Sequence, residues 1–327
     1  MNREYTFCGI SAEADYKYRK QLFERDMQKS YRIIFGSSVD MHELPNASVH
    51  LTVTSSPYYN APFDYPGLFK DYSEYLEMIR SVSKELYRVT DEGRIAAFVT
   101  DDMLVDGEKF PVVADITKIM MECGFKYRDR IVWKKPEGYT RISRRSGVLL
   151  QHPYPMYFYP DNLQESIVIF QKGDFDYSYI KNLPKDVVEA SKVNMSEVSK
   201  NKWHLTIWEI TNVLPLAGRL EEGIAAFPDE IARRLIKLFS FVGETVLDPF
   251  LGSGTSMKVA RELERNSVGY ELDEELESVI LEKIGRYQQK LDSGDSDTIE
   301  VIKRPDARRL RTDLQARALK QKSVNSH

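Results

Sequence analysis

The 327-residue sequence has few of the residues that bind structural metals or form disulfides. It contains two cysteines, Cys8 and Cys123, and five histidines, with no C-x-x-C or Cys/His spacing typical of a zinc site. No run reaches the roughly 18 apolar residues of a membrane span. The charged beginning of the chain lacks the apolar core of a signal peptide. We therefore expect no metal site, no membrane association and a cytoplasmic protein.

Positive charge is scarce overall but concentrated near the end of the chain. The formal net charge is −4, yet residues 303–322 carry eight basic and two acidic side chains, which leaves −10 for the remainder. Such asymmetry suits a protein with an anionic partner, and it equally suits a solvated basic helix.

Apolar runs alternate with amphipathic segments along most of the chain. Tyr75, Ile79, Val82 and Leu86 recur at the spacing of one helix face. Further helices are predicted over about 11–30, 111–122, 228–239 and 255–263, and residues 173–222 show no clear period. Seven strands are predicted, at 31–35, 48–54, 94–100, 126–133, 165–172, 244–250 and 267–271. This alternation predicts an α/β fold with a largely parallel sheet that helices cover on both sides.

A glycine-containing turn follows the sixth of these strands, in the run VLDPFLGSGT. Asp248 ends the strand, Gly252 and Gly254 let the backbone approach a ligand, and the helix that begins at Thr255 offers free N–H groups. Glu271 ends the next strand 23 residues after Asp248, where an acid commonly holds ribose hydroxyls. The turn lacks a third glycine and a phosphate-binding lysine. We therefore predict an adenosine ligand without a phosphate chain; a nicotinamide cofactor and a plain structural turn are the alternatives.

Residues 227–275 resemble the S-adenosylmethionine-binding half of the DNA amino-methyltransferases, which methylate cytosine N4 or adenine N6. The family's FxGxG motif, its acidic ribose ligand and part of its HPAxFP motif are matched by Phe250, Gly252, Gly254, Glu271, Phe227 and Pro228. The resemblance implies S-adenosyl-L-methionine as the cofactor, with Phe227 and Pro228 packing against it. It also implies a Rossmann-like, seven-stranded, mostly parallel methyltransferase sheet.

The run TSSPYYN carries a second signature of the same family, (Ser/Asp/Asn)-Pro-Pro-(Tyr/Phe/Trp). Ser56, Pro57 and Tyr59 match it, and Tyr58 stands in place of the second proline. The resemblance implies that Ser56 and the Pro57 carbonyl accept hydrogen bonds from the target amine, which frees its lone pair to attack a sulfonium methyl. Tyr59, with Tyr58, would stack on a base turned out of the duplex. Taken alone, SPYY would more often be an exposed turn.

The order of the motifs resembles the β arrangement of the family, in which the catalytic motif precedes the cofactor motif. It divides the chain into an N-terminal helical segment (1–30), a catalytic half (31–172), a target-recognition insertion (173–222), a cofactor-binding half (223–302) and a basic tail (303–327). Gly36-Ser37 stands where the family has Gly-Asp. Enzymes of this arrangement are frequently dimers, so the resemblance implies a homodimer.

Basic residues follow Trp133-Lys134-Lys135-Pro136, which fits the family's W-x-K-P. The predicted DNA phosphate contacts are Lys134, Lys135, Arg141, Arg144 and Arg145. The next run, QHPYPMYFYP, is dense in aromatic residues. We expect most of its rings to pack on the core, with lining of a base pocket as the alternative.

These features predict a site-specific methyltransferase acting on double-stranded DNA. They leave open whether a restriction endonuclease accompanies it as a partner. Serine at the head of the catalytic motif favours cytosine N4 over adenine N6. An RNA methyltransferase and a catalytically inactive DNA-binding relative are further alternatives. Carbon-5 methylation is excluded because it needs a nucleophilic cysteine, commonly after a proline, and neither Cys8 nor Cys123 follows one.

Overall fold

The computed structural model describes residues 29–60, 67–136, 146–211, 226–285, 297–310, 312–313 and 316. The predicted helix at 11–30 falls almost wholly outside the described residues, and so do Arg141, Arg144, Arg145 and most of the basic tail.

Eleven strands occur in the described part of the chain. They are β1 (Ser30–Phe35), β2 (Val49–Ser55), β3 (Thr90–Thr100), β4 (Met103–Val105), β5 (Glu108–Phe110), β6 (Lys126–Lys134), β7 (Gln164–Gln171), β8 (Ile207–Glu209), β9 (Thr245–Asp248), β10 (Asn266–Glu271) and β11 (Thr298–Lys303). Nine of them form one sheet in the order β11-β1-β10-β9-β2-β3-β7-β6-β8, and β4 pairs with β5. Only β7 runs antiparallel to its neighbours in the large sheet. The predicted mostly parallel α/β sheet is confirmed.

Nine α-helices connect these strands within the described ranges. They are α1 (Tyr72–Val89), α2 (Val112–Glu122), α3 (Ser146–Gln151), α4 (Ser178–Asn182), α5 (Lys185–Ala190), α6 (Met195–Lys200), α7 (Asp229–Phe239), α8 (Thr255–Glu262) and α9 (Glu277–Lys283). The predicted apolar face of α1 is buried, and the Asp71 side chain caps its first turn by accepting from the Glu74 N–H.

Helices cover both faces of the sheet, as the alternation along β3 shows. Ala96 and Phe98 belong to a cluster that includes the apolar faces of α1 and α2. Ile95, Ala97 and Val99 belong to a second cluster, with residues of α7 and α8. Because successive side chains of a strand point to opposite faces, the strands in the middle of the sheet are buried on both faces.

The first part of the predicted insertion lies at the amino ends of the strands. It forms the short helices α4, α5 and α6 where the sequence showed no period. Arg94 at the start of β3 and Glu244 just before β9 form an ion pair of 2.6 Å whose side chains are 4% and 2% exposed. The Tyr179 ring lies 4.5 Å from the Arg94 guanidinium, and its hydroxyl donates to Glu244. Residues 173–182 are thereby fixed at the edge opposite the carboxyl ends of β2 and β9.

Candidate active site

The two motif loops leave the sheet side by side. Strands β2 and β9 are parallel neighbours, with Leu51 opposite Val246. A cavity of about 290 Å³ lies at their carboxyl ends. The motif residues that line it are Ser55, Ser56, Pro57, Tyr58, Asp248, Pro249, Phe250, Leu251, Ser253, Thr255 and Glu271. Catalytic and cofactor candidates that are nearly 200 residues apart in the chain therefore share one cleft.

Glu271 holds the glycine turn at one end of this cavity. Its carboxylate accepts from the Gly252 N–H at 2.7 Å and from the Asp273 N–H at 2.9 Å. Burial raises the pKa of Glu271 to about 7, against the lowering effect of these hydrogen bonds. Gly252 and Gly254 have φ values of 54° and 89°, which only glycine adopts readily. Each carboxylate oxygen keeps a lone pair that a ligand hydroxyl can use.

Asp248 joins the glycine turn to the catalytic strand. Thr54 donates to Asp248 Oδ1 at 2.6 Å, and Ser256 donates to Oδ2 at 2.5 Å. The Phe250 N–H also donates to Oδ1, at 3.1 Å. Burial raises the pKa of Asp248 to about 6 despite these bonds. Asp248 thus fixes the position of β2 relative to the turn, a link that runs through Thr54, which the sequence did not single out.

Two other candidate cofactor residues differ in where they lie. Phe227 is buried and lines the cavity. Pro228 is the N-cap residue of α7, where its lack of an N–H costs the helix nothing. Apolar walls from Phe227 and Phe250, with Glu271 beside them, fit a ligand that has a flat ring and a pair of hydroxyls.

The SPYY turn is fixed by contacts from successive residues. Ser56 is buried with its hydroxyl 3.4 Å from Thr100 Oγ1. The Tyr59 ring packs among aromatic side chains, 5.1 Å from Tyr72 and 4.9 Å from Phe110 between ring centroids. Of the two tyrosines, Tyr58 and not Tyr59 lines the cavity among the described residues.

Asn60, the residue after the SPYY turn, is hydrogen-bonded to Phe69. It has φ of 42°, a conformation that asparagine tolerates better than most residues. Its side-chain amide donates to the Phe69 carbonyl at 2.7 Å and accepts from the Phe69 N–H at 2.9 Å. Phe69 lines the cavity, so Asn60 helps to form the site indirectly, by holding Phe69 in position.

Tyr58 anchors the turn to the neighbouring strands. Its hydroxyl donates to Glu165 Oε2 at 2.7 Å, and Lys135 forms an ion pair of 2.5 Å with Glu165 Oε1. Burial, followed by the charge of Glu165, holds the pKa of Tyr58 well above its usual value. The Lys135 side chain is 15% exposed and lies 5.0 Å from the Trp133 ring centroid. The charge of Lys135 is therefore already compensated by Glu165, whereas a lysine that contacts DNA phosphate would be expected to have no such partner in the protein.

Two of the DNA candidates, Lys134 and Lys135, lie at the same edge of the sheet as the cavity. Lys134 is 45% exposed and pairs with Glu209 at 3.1 Å. The connection from β6 to β7 leaves and returns at the carboxyl edge, where the Asn162 amide donates to Asp101. The expectation that its aromatic rings pack on the core is wrong, because the exposed side chains of this connection include Tyr154, Met156, Tyr157, Phe158 and Tyr159.

No helix within the described ranges has the length and apolar character to cross a membrane. The described residues also contain no group of three or more His, Cys, Asp or Glu side chains placed to hold a metal ion.

Comparison with known proteins supports one family. Residues 49–282 match the N6/N4 methyltransferase family model, described as DNA methylase. Type II methyltransferase M.MjaI of Methanocaldococcus jannaschii is 34% identical over 311 residues, which cover 85% of this chain and 98% of that protein. Type II methyltransferase M.MthZI of Methanothermobacter thermautotrophicus is 29% identical, covering 79% and 77% respectively.

Solved structures of DNA methyltransferases share the fold. TTHA0409 of Thermus thermophilus, complexed with S-adenosyl-L-methionine, superposes with a TM-score of 0.63 at 26% identity, covering 83% of this chain and 99% of that one. The cytosine-N4-specific PvuII DNA methyltransferase has a TM-score of 0.54 at 16% identity, covering 82% and 91%, a likeness of fold alone. The chain belongs to the N6/N4 DNA methylase family.

Proposed function

We propose that the protein transfers a methyl group from S-adenosyl-L-methionine to an exocyclic amine of a base in double-stranded DNA, with cytosine N4 as the target. One observation carries the proposal: the SPYY turn and the glycine turn line the same cavity. The family match and the S-adenosylmethionine complex of TTHA0409 support the choice of cofactor.

The cavity suits S-adenosylmethionine, which when bound supplies an electrophilic methyl carbon on a sulfonium. In our proposal Glu271 accepts hydrogen bonds from the ribose hydroxyls while still holding the Gly252 N–H. Phe227 and Phe250 provide the apolar walls. Asp248 keeps the glycine turn at a fixed distance from β2 through Thr54.

Ser56 and Pro57 prepare the acceptor. A base amine is a poor nucleophile because its lone pair is delocalised into the ring. The Ser56 hydroxyl and the Pro57 carbonyl accept from its N–H groups and draw the nitrogen toward a tetrahedral shape. With the cofactor bound, the nitrogen lone pair would attack the methyl carbon, the C–S electron pair would stay on sulfur, and the nitrogen would lose a proton to water. Because the amine becomes acidic only as it is methylated, Ser56 need not act as a strong base.

Serine at position 56 is the reason for naming cytosine N4, and adenine N6 is the second candidate because the family model covers both reactions. In either case the base must leave the duplex to reach a cleft between two loops. In this proposal Tyr58, which lines the cavity, contacts the extruded base, while Tyr59 packs against Tyr72 outside the cavity lining.

We assign DNA binding to the carboxyl edge of the sheet. Lys134 contacts phosphate in this proposal, as do Arg141, Arg144 and Arg145, which lie outside the described residues. The exposed rings of the β6–β7 connection contact the duplex beside the extruded base. Residues 173–200 pack at the opposite edge of the sheet and against α7. We therefore assign recognition of the target sequence to the later part of 173–222, from β8 onward, because β8 pairs with the carboxyl end of β6.

The relatives named Type II methyltransferases lead us to propose that the protein is the modification enzyme of a restriction–modification system. The homodimer that the resemblance implies stays a prediction, which sedimentation equilibrium of the protein would test.

The decisive experiment methylates DNA with tritiated cofactor, digests it to nucleosides and identifies the labelled one. We expect labelled N4-methylcytosine, with transfer abolished in Ser56→Ala and cofactor affinity retained. Ser83→Ala is the matched control, because Ser83 is equally buried but donates to the Ile79 carbonyl within α1. Labelled N6-methyladenine would show that adenine N6, the second candidate, is the target. The absence of label from every base would refute the proposal.

A further inference from the structure

A segment outside the family match completes the wall of the cavity. Residues 304–310 follow β11, and Arg308 and Leu310 line the cavity although the family model ends at residue 282. We infer that this segment forms the adenine end of the cofactor site, with Leu310 packing against the base. The inference rests on the proposed function.

The segment is tied first to the tip of β1. The Arg304 N–H donates to the Phe35 carbonyl at 2.8 Å, and the Ser37 N–H donates to Asp306 Oδ2 at 2.9 Å. A Cβ on Gly36 would lie 2.7 Å from Arg304 Cδ and 2.9 Å from Asp306 Oδ1. Glycine at position 36 therefore allows the segment to approach this closely, and Asp306 brings a carboxylate to the Gly36-Ser37 turn.

The segment is then tied to the tip of β10. The Arg308 N–H donates to the Leu272 carbonyl at 2.9 Å, and the Glu274 N–H donates to the Arg308 carbonyl at 3.1 Å. These bonds hold the backbone directly after Glu271. Leu310, two residues further on, is 6% exposed and presents an apolar side chain to the cavity.

The order of the strands decides which part of the cofactor meets this wall. The reactive methyl must face Ser56 at the end of β2, and Glu271 at the end of β10 holds the ribose. Counting outward from β2 the sheet continues β9, β10, β1, β11. The base is the part of the cofactor farthest from the methyl beyond the ribose. It therefore lies toward the tip of β1, where residues 304–310 close the cavity.

The first test measures the affinity of purified full-length protein for S-adenosylmethionine and for 5′-methylthioadenosine by titration calorimetry. Leu310→Ala should weaken binding of both by on the order of 10-fold, because both carry adenine and the lost contact is apolar. Leu86→Ala is the matched control, since Leu86 is fully buried in α1 and away from the cavity. Unchanged affinity in Leu310→Ala, or a loss for S-adenosylmethionine alone, would overturn the inference.

The second test removes Asp306, which holds the segment in place, instead of Leu310, which lines the cavity. Asp306→Ala should weaken both probes several-fold, because the Ser37 N–H loses its acceptor and Arg304 loses one of its carboxylate partners. Asp313→Ala makes the same change at an exposed residue of the same part of the chain and should leave both affinities unchanged. Wild-type protein that binds no S-adenosylmethionine would refute the proposed function and the inference together. Wild-type binding with equal losses in both aspartate variants would refute the inference alone.

Discussion

Replacing Tyr58 by phenylalanine should slow methyl transfer without weakening cofactor binding. The change removes one hydroxyl, which donates to the Glu165 carboxylate at 2.7 Å, and leaves the ring in the cavity wall. A hydrogen bond to a charged group is worth about 1.5–3 kcal/mol. If that energy holds Ser56 and Pro57 in position for the reaction, its loss lowers the transfer rate by about 10- to 150-fold, because about 1.36 kcal/mol corresponds to a factor of ten. Cofactor affinity should stay within about twofold of wild type, since Glu271 and Gly252 belong to other elements.

Tyr72→Phe is the matched control. The Tyr72 hydroxyl donates to Asp115 Oδ2, also at 2.7 Å, and joins α1 to α2 without lining the cavity. Both variants should lose a similar free energy of unfolding in urea, but only Tyr58→Phe should slow the single-turnover rate measured with tritiated cofactor and saturating DNA. Equal slowing in both variants would mean that general destabilisation explains the effect. An unchanged rate in Tyr58→Phe would refute the positioning role.

Three further predictions concern the rest of the fold. Because the pKa of Glu271 is raised from 4.5 to about 7, its protonated form is favoured in the folded state. Its contribution to the unfolding free energy should therefore fall by about 3 kcal/mol between pH 4.5 and 7, and urea titrations of Glu271→Gln should lack this fall. Arg94→Met should cost about 3–5 kcal/mol by leaving Glu244 buried and unpaired, and adding Glu244→Gln should recover part of it on thermal unfolding. Gly269→Ala places a Cβ 2.6 Å from Leu251 Cδ1, so it should cost about 1–3 kcal/mol and weaken cofactor binding, with partial rescue by Leu251→Val.

Most of the sheet could be predicted because its central strands, such as β2 and β3, are buried on both faces and so appear in the sequence as nearly continuous apolar runs. All seven predicted strands are present. The two edge strands were missed for a physical reason. β8 has three residues, and β11 alternates between exposed and half-buried side chains, so neither produces an apolar run. The short helices α4 to α6 bury at most one side chain each, which is too little for a helical period to be visible.

The candidate site was predictable at its loops but not at their supports. The resemblance to the family motif identified Ser56 and Pro57, and the glycine turn was identified because its backbone conformation favours glycine. Thr54 and Glu165 were not identified, since their partners Asp248 and Tyr58 are distant in sequence and no spacing rule connects them. The exposed rings of the β6–β7 connection were assigned to the core because aromatic content alone does not distinguish buried rings from exposed ones.

The replacement of the second motif proline by Tyr58 bears on whether the site is active. A proline restricts its own backbone through its ring, and it needs no other part of the protein to do so. Tyr58 instead restricts the turn through Glu165 of β7, whose charge Lys135 compensates just after β6. A catalytically inactive relative would not need this half-buried ion pair to hold the turn, since such a pair can be replaced by apolar side chains without loss of stability. The three residues together therefore favour an active enzyme, in which the hydrogen bond from Tyr58 to Glu165 restricts the turn in place of the second motif proline.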